Sequence, residues 1–241
     1  MTVVYLHGVG LDRSMWSAVS ARVGGASIAL DLAGHGTAAP LTGEASLGDL
    51  AVPVIATLRE PVHLVGFSLG ALVAQRIAID VPDRVRSLTL VSSVANRSAD
   101  ERAAVRARFA LAEHDLAASA QASLDRWFSD AFRAREPGLP ARIHATVVGM
   151  DHASFLAAYR IFAECDAELW PALGRIRCPT LAITGAEDTG STPAMAMALA
   201  GQVPGARSQV VPHCRHLLPF ERPAELAVAI ADVVARTEDP P

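Results

Sequence analysis

The chain has 241 residues, a formal net charge of −4, and hydrophobic residues at 51% of its positions. This composition supplies apolar side chains for one sizeable core and argues against an intrinsically disordered protein. Without a basic run, a long apolar stretch or a signal-peptide pattern, we expect no binding to nucleic acid, no membrane span and a cytoplasmic location.

Short runs rich in Val, Ile and Leu recur along the chain, and helical patterns separate them. The runs are apolar on both faces, as in strands buried in a parallel sheet. In chain order, the predicted strands are 2–6, 27–30, 61–67, 84–92, 180–184 and 208–211. The predicted helices between and after them are 14–23, 47–58, 69–79, 192–200 and 224–235. This alternation predicts a doubly wound, mostly parallel α/β sheet.

The alternation stops between residues 98 and 173, where the pattern is helical throughout. Helices are predicted here over 99–112, 115–131, 139–149 and 153–165. Open α/β sheets bind ligands beyond the carboxyl ends of their strands, so we interpret this stretch as a helical lid over that edge. The predicted organisation is therefore a core made of residues 1–97 and 174–241, with a lid insertion at 98–173.

A Gly-x-Ser-x-Gly pattern lies where the third predicted strand meets a predicted helix. Gly66 and Gly70 suit a turn at which the strand and helix backbones approach closely. Such a turn lifts the Ser68 hydroxyl into the open and leaves the backbone N–H of Leu69 facing the same space. Ser68 is therefore the predicted nucleophile, and the N–H of Leu69 is one predicted oxyanion donor.

A serine nucleophile needs a base and a group that orients the base. His216 follows the last predicted strand and is the predicted base, while nearby His213 is interpreted as a surface or loop-packing residue. Two carboxylates follow the strand at 180–184, and we predict Asp188 as the acid, with Glu187 as its rival. The order Ser, Asp, His along the chain is the one that α/β-hydrolases use.

The loop after the first predicted strand supplies the second oxyanion donor. A glycine before Val9 allows a tight turn, so that the N–H of Val9 can point into the site. His7 is interpreted as a scaffold residue, and Asp31 and His35 as parts of a structural turn.

No pattern in the chain predicts a metal or a cofactor. The three cysteines, Cys165, Cys178 and Cys214, are scattered and form no Cys-x-x-Cys pair. No two histidines have the helical spacing, with a carboxylate, that is typical of a metal site. We expect a small-molecule substrate as the partner, and the sequence indicates no oligomeric state.

Taken together, these motifs resemble the α/β-hydrolase superfamily over nearly the whole chain. They are Leu6-His7-Gly8, Asp31-Leu32-x-Gly-His-Gly, Gly66-x-Ser68-x-Gly70, Pro82-Asp83-Arg84-Val85, Gly185-x-x-Asp188 and His216…Glu221-x-Pro223. Within the superfamily, the segments 125–133 and 168–180 are most similar to 3-oxoadipate enol-lactonases and their relatives. The resemblance implies a hydrolase that cleaves a small ester or lactone, such as a carboxylated enol-lactone.

Three departures from the family pattern are visible. The family usually begins with a two-strand hairpin, whereas this chain starts at what would be the third strand. Arg215 stands where the loop before the histidine normally carries glycine, and the loop 185–193 is slightly longer than usual.

A carbon–carbon bond hydrolase or related lyase with the same triad is an alternative function. A non-catalytic ligand receptor of this fold is a third.

Substrate choice is expected to lie in the lid. Arg126 and Arg133, with Trp127 as an apolar wall, are candidates for binding a carboxylated substrate, because arginine suits bidentate carboxylate recognition. The alternative is that these arginines pair with acids of the lid such as Asp125 and Asp130.

Overall fold

The computed structural model describes residues 2–238, and within them six parallel strands form one sheet. The strands are β1 (Thr2–Leu6), β2 (Ala26–Leu30), β3 (Val62–Phe67), β4 (Val85–Val91), β5 (Thr180–Gly185) and β6 (Arg207–Val211). Their order across the sheet is β2-β1-β3-β4-β5-β6. Each neighbouring pair is parallel, so the carboxyl ends of all six strands lie at one edge. The predicted sheet is therefore confirmed.

Helices pack on this sheet and form the whole connection between β4 and β5. They are α1 (Ser17–Val23), α2 (Leu47–Thr57), α3 (Leu69–Asp80), α4 (Ala99–His114), α5 (Leu116–Trp127), α6 (Asp130–Arg135), α7 (Gly138–Val148), α8 (His152–Glu164), α9 (Asp166–Leu169), α10 (Pro193–Gln202), α11 (Leu218–Glu221) and α12 (Pro223–Glu238). Short 3-10 turns occur at Arg13–Trp16, Pro82–Arg84 and Trp170–Arg175. No helix within residues 2–238 is both long and apolar enough to cross a bilayer.

How far each strand is buried depends on whether it lies at the centre or at the edge of the sheet. All six residues of β3 are buried, because this central strand has neighbours on both sides and helices on both faces. The edge strands differ from the prediction that every strand is buried: most of β2 and β6 is exposed or half-buried. An edge strand has a neighbour on one side only, and its apolar pattern does not reveal that position.

The predicted helix over 115–131 is in fact two helices. α5 ends at Trp127, and α6 begins at Asp130 after a break at Phe128 and Ser129. The Ser129 side chain accepts a hydrogen bond from the N–H of Phe132 and so caps α6.

A buried ion pair joins the two ends of the helical connection. Arg97 lies just before α4 and Asp166 begins α9, and each side chain is 2% exposed. Arg97 Nη1 donates to Asp166 Oδ1 at 2.7 Å, and the Arg97 backbone N–H donates to Asp166 Oδ2 at 3.0 Å. The guanidinium also donates to the carbonyls of Phe162 and Ala163. The segment before α4 is thereby bonded to the start of α9, near the other end of the helical connection.

Candidate active site

Ser68 occupies the turn between β3 and α3 in a conformation that side-chain-bearing residues rarely adopt. Its φ is 52° and its ψ is −112°, and its backbone N–H donates to the carbonyl of Val91 at 2.9 Å. Residues other than glycine are strained at positive φ, so interactions with the surrounding structure must stabilise this conformation. Ser68 therefore stands at a strained strand-to-helix turn, as its motif predicts.

The two glycines of the motif are required by close backbone packing. A Cβ atom on Gly66 would meet the carbonyl of Gly70, and a Cβ on Gly70 would meet the carbonyls of Leu6 and His7. The turn therefore lies directly against the end of β1. That contact brings the loop after β1 beside Ser68.

Asp188 and His216 form a buried hydrogen-bonded pair. His216 Nδ1 lies 2.7 Å from Asp188 Oδ2, and Asp188 Oδ1 accepts from the N–H groups of Gly190 and Ser191 at 2.8 and 2.9 Å. A carboxylate bonded in this way holds the proton of the imidazole on Nδ1. His216 Nε2 is then the nitrogen able to accept a proton.

The rival acid and base lie together at the surface. The His213 side chain is 86% exposed and Glu187 is 47% exposed, with 4.0 Å between His213 Nδ1 and Glu187 Oε1. Neither side chain lines the cavity that holds Ser68. The geometry therefore favours Asp188 and His216 over Glu187 and His213.

Ser68, Asp188 and His216 line one cavity at the carboxyl edge of the sheet. The cavity contains about 710 Å³ of space, counted out to its open mouth. Much of its wall is apolar or aromatic, and many of these side chains come from the helical connection between β4 and β5. The apolar wall comprises Val9, Phe67, Ala120, Trp127, Val147, Phe155, Tyr159 and Phe162. Such a cavity accepts a small, partly apolar molecule.

The predicted oxyanion donors flank Ser68. Leu69 is the first residue of α3, where a backbone N–H has no intrahelical carbonyl to bond. Val9 lines the cavity from the loop after β1. Both N–H groups therefore belong to segments that adjoin the serine, which is the arrangement an oxyanion hole needs.

Two buried histidines hold the loop that carries Val9. His7 Nε2 accepts the N–H of Leu32 at 2.9 Å, and His35 Nε2 accepts the N–H of Gly10 at 3.2 Å. Burial lowers the pKa of both imidazoles, that of His35 to about 3. Neutral rings with Nδ1–H satisfy these bonds, so both histidines act as scaffold, in agreement with their interpretation from sequence.

The carboxylate of Asp31 likewise has a structural role. Its carboxylate accepts from the backbone N–H groups of Arg13 and Thr37 at 2.8 and 3.0 Å. Burial tends to raise the pKa of Asp31, but these hydrogen bonds outweigh it and hold the pKa below its usual value. Asp31 therefore stabilises the turn after β2.

The two arginines predicted to bind substrate, Arg126 and Arg133, occupy different environments. Arg126 and Trp127 both line the cavity, and the Trp127 ring stacks on the His216 imidazole with 5.9 Å between ring centroids. Arg133 does not line it. Its guanidinium is paired with Asp125 at 2.7 Å and Asp130 at 2.6 Å. The geometry therefore favours the alternative for Arg133, an arginine paired with acids of its own segment and outside the cavity.

A second cavity arginine, Arg108 on α4, was not predicted from the sequence. Within the described part of the chain, no carboxylate is ion-paired with either Arg108 or Arg126. Burial lowers the pKa of the Arg126 guanidinium, and the positive charge of Arg108 lowers it further. Helix α4 carries several arginines, and nothing in their spacing shows which of them faces the cavity.

Comparison with known proteins agrees with this architecture. Residues 3–229 match the Alpha/beta hydrolase family. The (E)-2-((N-methylformamido)methylene)succinate hydrolase of Acinetobacter baylyi is 29% identical over 235 residues, which are 95% of this chain and 88% of that protein. The 3-oxoadipate enol-lactonase 2 of the same species is 25% identical over 240 residues, covering 97% and 88% of the two chains.

A solved structure shows the same similarity in three dimensions. The enol-lactonase from Burkholderia xenovorans LB400 superposes with a TM-score of 0.89 at 26% identity, over 97% of this chain and 91% of that one. The resemblance to enol-lactonase-like hydrolases is thus confirmed. The family match spans almost the entire chain, and the chain accordingly belongs to the α/β-hydrolase family of enzymes.

Proposed function

We propose that this hydrolase cleaves a small ester or lactone bearing a carboxylate, with Ser68 as nucleophile, His216 as base and Asp188 as the orienting acid. One observation carries the proposal. The strained Ser68 turn and the buried Asp188–His216 pair face a single cavity. That cavity also contains Arg108 and Arg126, and neither guanidinium has a carboxylate within ion-pair distance among the described residues.

The chemistry follows from these positions. His216 Nε2 takes the proton of Ser68 Oγ as the oxygen attacks the substrate carbonyl, and Asp188 stabilises the imidazolium that forms. The N–H groups of Val9 and Leu69 bind the oxyanion of the tetrahedral intermediate. Collapse of this intermediate expels the alcohol or enol oxygen, which takes the proton from His216. Water, activated by the same imidazole, then hydrolyses the acyl-enzyme.

The carboxylate in the substrate is inferred from Arg108 and Arg126. Two guanidinium groups in a partly apolar cavity favour an anionic ligand, because buried charge is costly unless it is compensated. Two relatives are named for carboxylated molecules, a substituted succinate and a 3-oxoadipate lactone. We propose a substrate of the same chemical class here.

We also propose that the segment 98–173 acts as a lid that selects this substrate. Helices α4, α5, α7 and α8 each contribute side chains to the cavity wall. A wall built by this connection can exclude water from the acyl-enzyme and shape the pocket, while the sheet supplies the nucleophile, acid and base.

The first test compares two kinds of substrate. We expect kcat/KM of about 10⁵ M⁻¹s⁻¹ or more, within the usual range for enzymes, on 3-oxoadipate enol-lactone. A neutral p-nitrophenyl ester should be cleaved far more slowly. Ser68→Ala is the blank and should abolish turnover of both.

Two other outcomes would change the proposal. Substantial turnover by a contaminant-free Ser68→Ala preparation would contradict the serine mechanism. Feeble hydrolysis of all the esters and lactones, still abolished in Ser68→Ala, would retain the serine and discard the substrate class. Carbon–carbon bond cleavage would then be the next activity to assay.

The arginines are tested by single substitutions. Loss of a charge-assisted hydrogen bond costs about 1.5–3 kcal/mol, so Arg126→Ala or Arg108→Ala should raise KM for the carboxylated substrate about 10- to 100-fold. KM for the neutral ester should change little. Arg133→Ala is the matched control, because Arg133 belongs to the same segment but does not line the cavity. An equal effect on charged and neutral substrates would contradict carboxylate binding by these residues.

A further inference from the structure

The loop that carries His216 caps the end of helix α5. The last carbonyls of a helix have no intrahelical partner and need donors from elsewhere. Arg215 Nη1 donates to the carbonyls of Asp125 at 3.1 Å and Phe128 at 2.8 Å, and the N–H of Leu217 donates to the carbonyl of Trp127 at 3.2 Å. A cation at this helix end also interacts favourably with the helix dipole.

A buried carboxylate, that of Glu221, also connects the loop of His216 to the segment after α5. Glu221 Oε1 accepts the backbone N–H of Arg215 at 3.2 Å and that of Ser129 at 3.1 Å, and Glu221 Oε2 accepts the Ser129 hydroxyl. Glu221 is thus bonded both to the loop of His216 and to Ser129, which lies between α5 and α6. Arg215 is held by its backbone while its side chain reaches α5.

In both segments, the residues that line the cavity lie between the residues that form these hydrogen bonds. His216 lies between the two capping residues, Arg215 and Leu217. On the other side, Arg126 and Trp127 lie between the capped carbonyls of Asp125 and Phe128 and line the cavity beside His216. The capping bonds therefore fix the last turn of α5 relative to the predicted base.

We propose that Arg215 is a positioning residue that sets the selectivity for carboxylated substrates by holding Arg126 at a fixed distance from His216. The inference rests on the proposed function, since Arg126 must bind the substrate carboxylate for its position to matter. A glycine, which the family resemblance places at this position, has no side chain to make these bonds. Selectivity obtained in this way is a property of this chain's own residues.

The test measures selectivity, defined as kcat/KM for the carboxylated substrate divided by kcat/KM for the neutral ester. Arg215→Ala is expected to lower this ratio about tenfold, because charge-assisted bonds to the α5 carbonyls are lost. Arg215→Lys keeps a charged donor, and because both carbonyl bonds come from one nitrogen of Arg215, this variant should lower the ratio by less. Arg222→Ala is the matched control: it removes a charge from the same region and a bond to the carbonyl of His213, but not to α5. Its ratio should not change.

A second readout needs no activity. Trypsin cleavage after Arg126, followed by mass spectrometry, should be several-fold faster in Arg215→Ala than in the unmodified enzyme or Arg222→Ala, because an uncapped helix end frays. A purely destabilising effect would lower both activities in proportion and leave the ratio intact.

The outcomes separate this inference from the proposed function. If the unmodified enzyme shows no Ser68-dependent turnover of any of these substrates, the proposed function is overturned. If turnover is intact but Arg215→Ala retains full selectivity, the inference alone is overturned, whatever the rate of cleavage after Arg126. If Arg215→Ala cannot be purified in folded form, Arg215→Met replaces it, because methionine keeps an aliphatic chain but cannot donate to the α5 carbonyls. An unchanged ratio in Arg215→Met then overturns the inference.

Discussion

Replacing His216 with alanine is expected to lower kcat/KM by about 10⁴ or more, whereas His213→Ala should stay within about twofold of the unmodified enzyme. The two histidines are three positions apart in one loop, but their surroundings are opposite. His216 is buried, bonded to Asp188 and lines the cavity with Ser68, while His213 is exposed beside Glu187. Both variants are measured by steady-state kinetics on a substrate that the unmodified enzyme cleaves and Ser68→Ala does not.

Folding must be checked for this comparison to be decisive. His216 packs against Phe67, with 4.9 Å between ring centroids, so its removal leaves space beside the turn of Ser68. Circular dichroism and the thermal midpoint of each variant show whether the fold survives. A large loss in His213→Ala with little loss in His216→Ala would reverse the assignment of the base.

Asp166→Ala is expected to destabilise the protein by about 3–5 kcal/mol, the usual cost of removing one partner of a buried ion pair. The change leaves the buried guanidinium of Arg97 without its carboxylate and the Arg97 backbone N–H without its acceptor. Urea unfolding at neutral pH measures the loss as a lower midpoint. The other bonds of Arg97, to the carbonyls of Phe162 and Ala163, do not neutralise its charge.

A surface pair provides the matched control. Arg207 and Asp232 are 2.8 Å apart, but both side chains are substantially exposed, so Asp232→Ala should shift the midpoint very little. Equal midpoints for Asp166→Ala and the unmodified protein would contradict a stabilising role for the Arg97–Asp166 pair. A variant that unfolds in two steps would indicate that the helical connection opens separately from the sheet.

Much of the fold could be predicted from the sequence because its signals are local. The predicted strands lie within one or two residues of the observed ones, since short apolar runs bounded by turns mark strands well. Exposure of β2 and β6 could not be predicted, because the position of a strand in a sheet depends on distant pairings. The break between α5 and α6 was missed, because Phe128 and Ser129 interrupt a helical pattern without a proline or glycine.

Within the site, the sequence predicted Asp188 over Glu187 as the acid and His216 over His213 as the base, and the geometry favours the same choices. The sequence placed candidate acids at Glu187 and Asp188 and candidate bases at His213 and His216, each pair in a single loop. Neighbouring positions in a loop can point into the protein or out to solvent, and the tertiary structure shows which of each pair is buried beside Ser68. The environment of Arg108 depends likewise on how α4 packs, so no local pattern marks it. The catalytic roles themselves remain predictions for the kinetic tests above.

The stacking of Trp127 on His216 has a practical consequence. An indole's light emission responds to the polarity and charge of the groups around it, and this ring lies on the wall of the cavity, beside the proposed base. Of the chain's three tryptophans, Trp16 is fully buried against Tyr5, and neither it nor Trp170 lines this cavity. The difference in fluorescence between the enzyme and a Trp127→Phe form would therefore report the filling of the cavity. An intrinsic optical probe of this kind would allow ligands to be screened before any substrate is known.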